Sequence, residues 1–244
     1  ASTVGFNPRT LFALSGIDGE KTVNVCLKDR AGRSTLLSGT IVLDTTAPAG
    51  SLTIARADGS AGDFTSARSV NISGSGNEAI VYALANEGLD CSSATYGSTF
   101  STTFSGVAFD LFDQDGLRTV KACLKDKAGN IAIVEDNITL DRTAPSASLL
   151  IDGGARFTQD DEVNLLIQAS SDVAFMALAN GSLDCVSAAY VAYAATKSGW
   201  DLDPSADGSG ADGSKTIAVC LRDRAGNVAA AQSSILLDRK NPTG

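Results

Sequence analysis

The stretch KTVNVCLKDRAGR at residues 21–33 returns twice along the chain with small changes. The two further copies are RTVKACLKDKAGN at 118–130 and KTIAVCLRDRAGN at 215–227. Each copy contains one cysteine, and the three cysteines lie 97 residues apart at both steps: Cys26, Cys123 and Cys220. A fixed period of this length indicates a repeat architecture, in which each copy is one structural unit.

The borders of the unit lie at a proline motif. LDTTAP occupies 43–48, LDRTAP occupies 140–145, and a less similar copy, LDRKNP, occupies 237–242. Each motif separates two apolar stretches of strand length, and proline can neither continue a helix nor donate to a strand ladder. A unit of 97 residues is the size of a small domain. We therefore predict three domains: half a repeat at 1–48 and complete repeats at 49–145 and 146–244.

Strand signals dominate within the period. RSVNISGS (68–75) and EVNLLIQAS (162–170) alternate or run apolar over strand length, and Asp-Gly turns precede each cysteine stretch. No segment shows a helical period over ten residues. About seven short strands per copy predict an all-β fold, an antiparallel β-sandwich in each complete repeat.

The first copy has no counterpart of the strands at 50–86. Half a sandwich cannot bury its own core. Either the sequence is a piece of a longer chain, or another chain supplies the missing strands.

The five cysteines pair within repeats. Cys91 and Cys185 each follow an ALAN stretch, which predicts disulfides Cys91–Cys123 and Cys185–Cys220 and leaves Cys26 unpaired. Strand alternation places Cys123 on the same face as Lys121 and Lys125, so we expect each bridge to hold a surface loop against the sheet edge. Closing such a loop would stabilise a domain by roughly 3–4 kcal/mol. Disulfides persist in oxidising places, which predicts an extracellular or cell-surface location.

Composition argues against several classes of function. The net charge is −9, which disfavours nucleic acid as a partner, and no apolar run is long enough to insert into a membrane. The chain contains no histidine, so a serine or cysteine nucleophile would lack its usual base. We expect no enzymatic activity.

The combination KTVxVCLxDRAGN followed by ITLDRTAP resembles the closing half of bacterial immunoglobulin-like (Big-type) tandem repeats of large surface proteins and adhesins. The resemblance covers essentially the whole chain. It implies tandem immunoglobulin-like β-sandwiches that act as a stalk holding a distal domain away from the cell. It also implies that calcium is a possible ligand at the domain junctions.

Aspartates recur where such a calcium ion would bind. One set follows the cysteine strand and the other lies in the proline motif: Asp29, Asp126 and Asp223, and Asp44, Asp141 and Asp238. Calcium takes six to eight oxygen ligands, which carboxylates and carbonyls supply. The alternative is that these side chains cap turns through backbone amides.

The loop DLDPSADGSGADG at 201–213 is a further acidic stretch. Its aspartates are Asp201, Asp203, Asp207 and Asp212. They are typical of a calcium loop in composition but do not match the EF-hand pattern, so a solvated acidic loop is the alternative.

These observations favour a structural spacer of a secreted or surface-anchored bacterial protein, with neighbouring repeats as its partners and no cofactor besides the possible calcium. Two alternatives remain at this point. One is an extracellular filament whose half-domain is completed by a neighbouring subunit, and the other is an adhesive module that binds through its variable loops.

Overall fold

A computed structural model describes residues 11–99, 102–203 and 211–241. Within these ranges the chain forms eighteen β-strands and one short 3₁₀ turn at Asp152–Gly154. The predicted all-β class is confirmed.

Residue contacts divide the chain into two compact units. One comprises residues up to Thr53 together with Ile72–Val107 and Val120–Asp136. The other comprises Ile54–Asn71, Ala108–Thr119 and the residues from Asn137 onward. The domain borders near residues 48 and 145 rest on the sequence period and stay predictions.

The described residues of the first copy form a two-stranded antiparallel hairpin. Strand β1 (Gly19–Lys28) pairs along its length with β2 (Ser34–Leu43), so that Val25 lies opposite Leu37. The turn between them contains Gly32 at φ +86°, a left-handed conformation that glycine adopts without strain. This copy of the AGN/AGR motif therefore forms the turn that its sequence predicts.

The second copy contains eight strands in two sheets. The strands are β3 (Gly50–Arg56), β4 (Phe64–Thr65), β5 (Ser69–Gly76), β6 (Ala79–Asn86), β7 (Ser98–Thr99), β8 (Thr103–Asp110), β9 (Gly116–Asp126) and β10 (Ile131–Leu140). One sheet has the order β3-β5-β8 and the other β4-β10-β9-β6-β7. Tyr82 and Leu124 of the larger sheet pack with Phe104 and Val107 of the smaller one, so the two sheets enclose a core.

The third copy repeats this arrangement. Its strands are β11 (Ala147–Ile151), β12 (Phe157–Thr158), β13 (Glu162–Ala169), β14 (Val173–Asn180), β15 (Val191–Ala192), β16 (Thr196–Asp201), β17 (Gly213–Asp223) and β18 (Val228–Leu237). The sheets have the orders β11-β13-β16 and β12-β18-β17-β14-β15. Alternate residues of β17 point inward, and Ile217, Val219 and Leu221 are buried against the opposite sheet. The second and third copies are thus immunoglobulin-like β-sandwiches.

Two short strand pairs depart from the purely antiparallel prediction. Phe64–Thr65 pairs in parallel with Thr139 and Leu140, and Phe157–Thr158 pairs in parallel with Leu236 and Leu237. Each adds the early part of a copy to the edge of its last strand. These two-residue segments carry no apolar alternation, which is why sequence periodicity does not reveal them.

Candidate functional site

The cysteines on the strands, Cys123 and Cys220, are buried, which corrects the sequence expectation of a surface bridge. Cys91 is buried as well, and Cys185 is half-buried. Cys91 is bonded to Cys123 and Cys185 to Cys220, each with a Cα–Cα distance of 5.5 Å. Cys123 lies on the face opposite to Leu124, as alternation predicts, but it is fully buried. Its strand β9 is internal to the sheet, flanked by β10 and β6, so the bridge does not lie at a sheet edge.

A second small core explains this burial. The segment after β6 folds back over the outer face of the sheet, where Leu89, Ala94 and Tyr96 surround the Cys91–Cys123 bridge. The Tyr96 hydroxyl donates to the carbonyl of Cys91 at 2.9 Å, and burial raises the pKa of this phenol. In the third copy Tyr190 donates in the same way to Cys185. The Cys91–Cys123 cystine therefore belongs to a packed cluster and does not merely hold a surface loop.

The aspartate after each cysteine strand organises the AGN turn. Asp223 is buried, and its Oδ1 accepts the backbone N–H groups of Gly226 and Asn227 at 2.7 and 2.9 Å. Its Oδ2 accepts the Asn227 side-chain amide at 2.8 Å.

Asp126 makes the same three contacts with Gly129 and Asn130. Burial alone would raise the pKa of Asp126, but the hydrogen bonds from Asn130 and the turn amides outweigh it and hold the pKa below its usual value. The carboxylate is therefore kept ionised beneath the turn.

The first copy forms a variant of this turn. Arg33 occupies the asparagine position, and both its backbone N–H and its Nε donate to Asp29, at 2.9 and 2.8 Å. The arginine hydrogen bond holds the pKa of Asp29 below its usual value. In this copy the aspartate still accepts hydrogen bonds from the turn, but the asparagine side-chain amide is missing.

The aspartates of the proline motif cap turns. The carboxylates of Asp44, Asp141 and Asp238 each accept the backbone N–H two residues further on, at 3.1 Å. This is an Asx turn, which directs the chain out of the last strand.

The two aspartate sets meet at the repeat junctions. The side-chain amide of Asn227 donates to the carbonyl of Asp141 at 2.8 Å, and that of Asn130 donates to the carbonyl of Asp44 at 3.1 Å. Donor and acceptor are 86 residues apart at both junctions. The AGN turn of one copy thus holds the exit segment of the preceding copy, and the contact recurs with the period of the sequence.

One acidic cluster lies at the junction between the second and third copies. Oxygen atoms of Asp141, Asp172 and Asp223 all lie within 4.8 Å of one another. The structure brings together two of the candidate metal ligands and adds Asp172, which the sequence analysis did not identify. Among the described residues, no second group of three acidic or sulfur ligands meets this criterion, so Asp29, Asp44, Asp126 and Asp238 are not part of such a group.

The acidic loop at 201–213 does not join this cluster. Asp201 accepts the backbone N–H of Asp203 at 2.8 Å, and Asp207 lies outside the described residues. Asp212 accepts the Nε of Arg239 at 3.0 Å, and this hydrogen bond holds the pKa of Asp212 below its usual value.

The partner of Asp212 follows the sequence period. Asp115 accepts the Nε of Arg142 at 2.6 Å, and both residues lie 97 positions before their counterparts Asp212 and Arg239. Asp212 is therefore a structural aspartate of the Asp-Gly turn. The shared spacing of the two residue pairs was a readable signal for this ion pair.

A cleft of about 830 Å³ lies beside the AGN turn of the third copy. Its walls include Arg56, Phe64, Phe175, Arg222 and Arg224. The guanidinium of Arg222 lies 5.1 Å from the ring centre of Phe175, which is a cation–π contact. Sequence patterns did not predict this cleft.

Comparison with known proteins leaves the family open. No family model matches the chain, and no curated protein matches it significantly. Similar solved structures include a tetra-tandem repeat from the extending region of a large adhesion protein, at 21% identity over 92% of this chain and 58% of that chain, with a TM-score of 0.38. The present chain thus spans 58% of the length of that structure.

Two further solved structures are similar at lower identity. Fibronectin(III)-like modules of Clostridium thermocellum CbhA match at 12% identity over 76% of this chain and 93% of theirs, with a TM-score of 0.39. The FN1–FN3 domains of chicken CNTN1 match at 10% identity over 88% of this chain and 77% of theirs, with a TM-score of 0.38. Similarity at these values carries no argument about function.

Within the described ranges, none of the segments is a helix long and apolar enough to cross a membrane.

Proposed function

We propose that this chain is a series of structural spacer repeats of the Big type, belonging to a secreted or surface-anchored bacterial protein in which they hold a distal domain away from the cell. The observation that carries the proposal is the recurring junction bond, Asn130 to Asp44 and Asn227 to Asp141. A spacer must transmit position from one repeat to the next, and a hydrogen bond repeated with the sequence period restricts the angle at every junction.

The environment of this bond supports the proposal. Asn227 is itself held by the buried carboxylate of Asp223, so the donor is oriented before it meets Asp141. The Asx turn at Asp141 in turn orients the accepting carbonyl. Both partners are therefore preorganised, which lowers the entropy lost when the junction orders.

The disulfides support the proposed location. One cystine in each of the second and third copies closes a loop, and structural cystines are typical of oxidising compartments.

Small-angle X-ray scattering tests the spacer function. We expect the Asn130→Ala/Asn227→Ala double variant to show a broader distribution of interatomic distances than the parent chain at unchanged mass. Asn164→Ala is the matched control, because Asn164 is an exposed asparagine on β13. An unchanged distribution in the double variant, with both repeats still folded, would contradict a junction role for the two asparagines.

We also propose that calcium binds the acidic cluster. Three carboxylates within 4.8 Å supply between three and six oxygens, a large part of the shell that calcium needs. Asp223 already accepts three hydrogen bonds, yet each carboxylate oxygen keeps lone pairs that a cation could use. Bound calcium would also offset the repulsion between the three like charges.

Thermal unfolding with calcium, magnesium or EDTA tests this proposal. Asp172→Asn is a suitable variant, because Asp172 is exposed and its replacement leaves the core intact. We expect calcium to raise the midpoint of the parent chain and to leave that of the variant unchanged. Equal midpoints in calcium and EDTA for the parent chain would leave these aspartates as turn caps only.

An adhesive role is the second candidate, favoured by the cleft of about 830 Å³ with aromatic and arginine walls. A charge reversal there, Arg224→Glu, would abolish binding to a host surface if the cleft were the adhesive site. If the cleft has no part in adhesion, the substitution should leave binding to such a surface unchanged.

A further inference from the structure

The β1–β2 hairpin exposes a face that is buried in the other copies. The exposed fractions of Val25, Leu27 and Ile41 are 46%, 39% and 55%. Those of their counterparts Ala122, Leu124 and Ile138, each 97 positions further on, are 0%, 0% and 1%. In the third copy the same positions pack against Ile151, Val163 and Leu165 of β11 and β13. The uncovered face is therefore a core surface whose covering is known from the other copies.

The hairpin also has a free edge. Among the described residues, β1 pairs only with β2. Its counterparts β9 and β17 pair on their second edge with β6 and β14. The N–H and C=O groups on this edge of β1 are therefore placed to pair with a neighbouring strand, as the same edge does in both complete copies.

The cysteine of the hairpin provides a third, independent feature. Cys26 is exposed and is the one free cysteine in the part of the chain that the structure describes. Its counterpart Cys123 lies opposite Ala83 and is bonded to Cys91, eight residues after that alanine. Cys220 likewise lies opposite Ala177 and is bonded to Cys185, eight residues further on. The register of β1 therefore specifies where a partner cysteine would lie.

We propose that the β1–β2 hairpin is a docking surface for a front half-repeat. By this term we mean a polypeptide that carries counterparts of β11, β13 and β14, followed by a cysteine placed as Cys185 is. Docking would cover Val25, Leu27 and Ile41, pair a strand with β1 and bond the incoming cysteine to Cys26. This inference rests on the proposed tandem-repeat function and names the partner that the first copy accepts.

A second copy of the hairpin is the less suitable occupant. It would present another Cys26 on a strand. In both complete copies the strand cysteine is bonded instead to a loop cysteine, Cys91 after β6 or Cys185 after β14. A second hairpin would also present only two strands against a face that the three-stranded sheet β11-β13-β16 covers in the third copy.

The covalent step is a thiol–disulfide exchange. The Cys26 thiolate attacks the partner cysteine sulfur of a mixed disulfide with a small thiol such as glutathione. A new sulfur–sulfur bond forms to Cys26, the old one breaks, and glutathione leaves as the thiolate with the electron pair. No other oxidant is needed.

The test uses the full chain and a synthetic polypeptide with the sequence of residues 49–97, prepared as the glutathione mixed disulfide at its single cysteine. The control probe has the same composition and cysteine in scrambled order. We expect the chain to form a one-to-one adduct at Cys26 at least about tenfold faster with the ordered probe, because burying the apolar face favours the docked complex. Intact mass, with Cys26→Ser as the blank, measures the adduct.

Two neighbouring residues of β2 separate docking from simple thiol reactivity. Ile41 lies on the inner face, and Val42, with 66% of its side chain exposed, lies on the other. Ile41→Asp should remove the tenfold advantage, and Val42→Asp should keep it.

Equal rates with both probes, an unaffected Ile41→Asp variant, or a Cys26–Cys26 dimer formed in preference to the adduct would each overturn the proposal. None of these results depends on the scattering experiment, which tests the junctions between the later copies and the spacer function independently.

Discussion

Asn227→Ala should destabilise the third repeat by about 3 kcal/mol. The substitution removes a hydrogen bond to the carbonyl of Asp141, worth about 1 kcal/mol, and one to the carboxylate of Asp223, worth roughly 1.5–3 kcal/mol. Both bonds are 2.8 Å long. Asp223 is only 2% exposed, so water does not readily replace the lost donor.

Urea unfolding followed by tryptophan fluorescence measures this loss. Trp200 is the single tryptophan and lies on β16, so its emission reports the third repeat. Its indole N–H donates to Asn180 at 2.7 Å, and it packs against the core of that repeat. Asn164→Ala should change the midpoint little.

The comparison with Asn227→Asp sharpens the test. Aspartate removes both donor bonds and adds a negative charge beside Asp223, so at neutral pH it should destabilise more than alanine. The difference should shrink in acid, where the introduced carboxyl is protonated and carries no charge. A loss below about 0.5 kcal/mol for Asn227→Ala, or equal stability of the two variants at neutral pH, would refute the reasoning.

Three further predictions concern other parts of the fold. Cys220→Ala should cost the third repeat about 4 kcal/mol, from the loop that the cystine closes over a separation of 35 residues, as measured by tryptophan-detected unfolding. The pKa of Asp126 is lower in the folded protein, so its stabilising contribution is present above about pH 4 and is lost as the pH falls through the folded value. Unfolding midpoints measured by circular dichroism should therefore vary less with acid pH in Asp126→Asn than in the parent chain. Gly50→Ala should lower the midpoint of the second repeat by an amount equivalent to about 1–3 kcal/mol, since the added Cβ would overlap the carbonyl oxygen of Ser75. Gly39→Ala is the control, because a Cβ there meets no atom within 4 Å.

The inner strands of each sandwich could be predicted from the sequence because their signal is local. Alternation in RTVKACLKD identifies Val120 and Leu124 as core residues, and both are fully buried. Alternation also gives the correct face for Cys123, but the expectation that this face is exposed was wrong. The pattern tells which side of a sheet a residue faces and not whether another segment covers that side. The covering segment around Tyr96 has no regular period, so its position depends on tertiary packing.

The junction shows the same limit. Repetition of the AGN and LD motifs drew attention to Asp141 and Asp223, but their hydrogen-bonded neighbours could not be assigned from spacing alone. Asp172 lies in a turn whose sequence differs between copies, with Glu78 at the equivalent place before the ALAN stretch, so periodicity gives it no emphasis. The acidic cluster is a property of how two strands end beside each other, which becomes visible only in three dimensions.

The two cystines have a consequence for a protein under tension. When force pulls on the two ends of a repeat, the chain between the bonded cysteines cannot lengthen, even after every strand has separated. The disulfides prevent the extension of segments of 32 and 35 residues in the second and third copies. Fully extended, these segments would be roughly 110 and 120 Å long. Each repeat would therefore yield about one third less length when it is stretched, and the distance over which the protein can be drawn out would depend on the redox state of its surroundings.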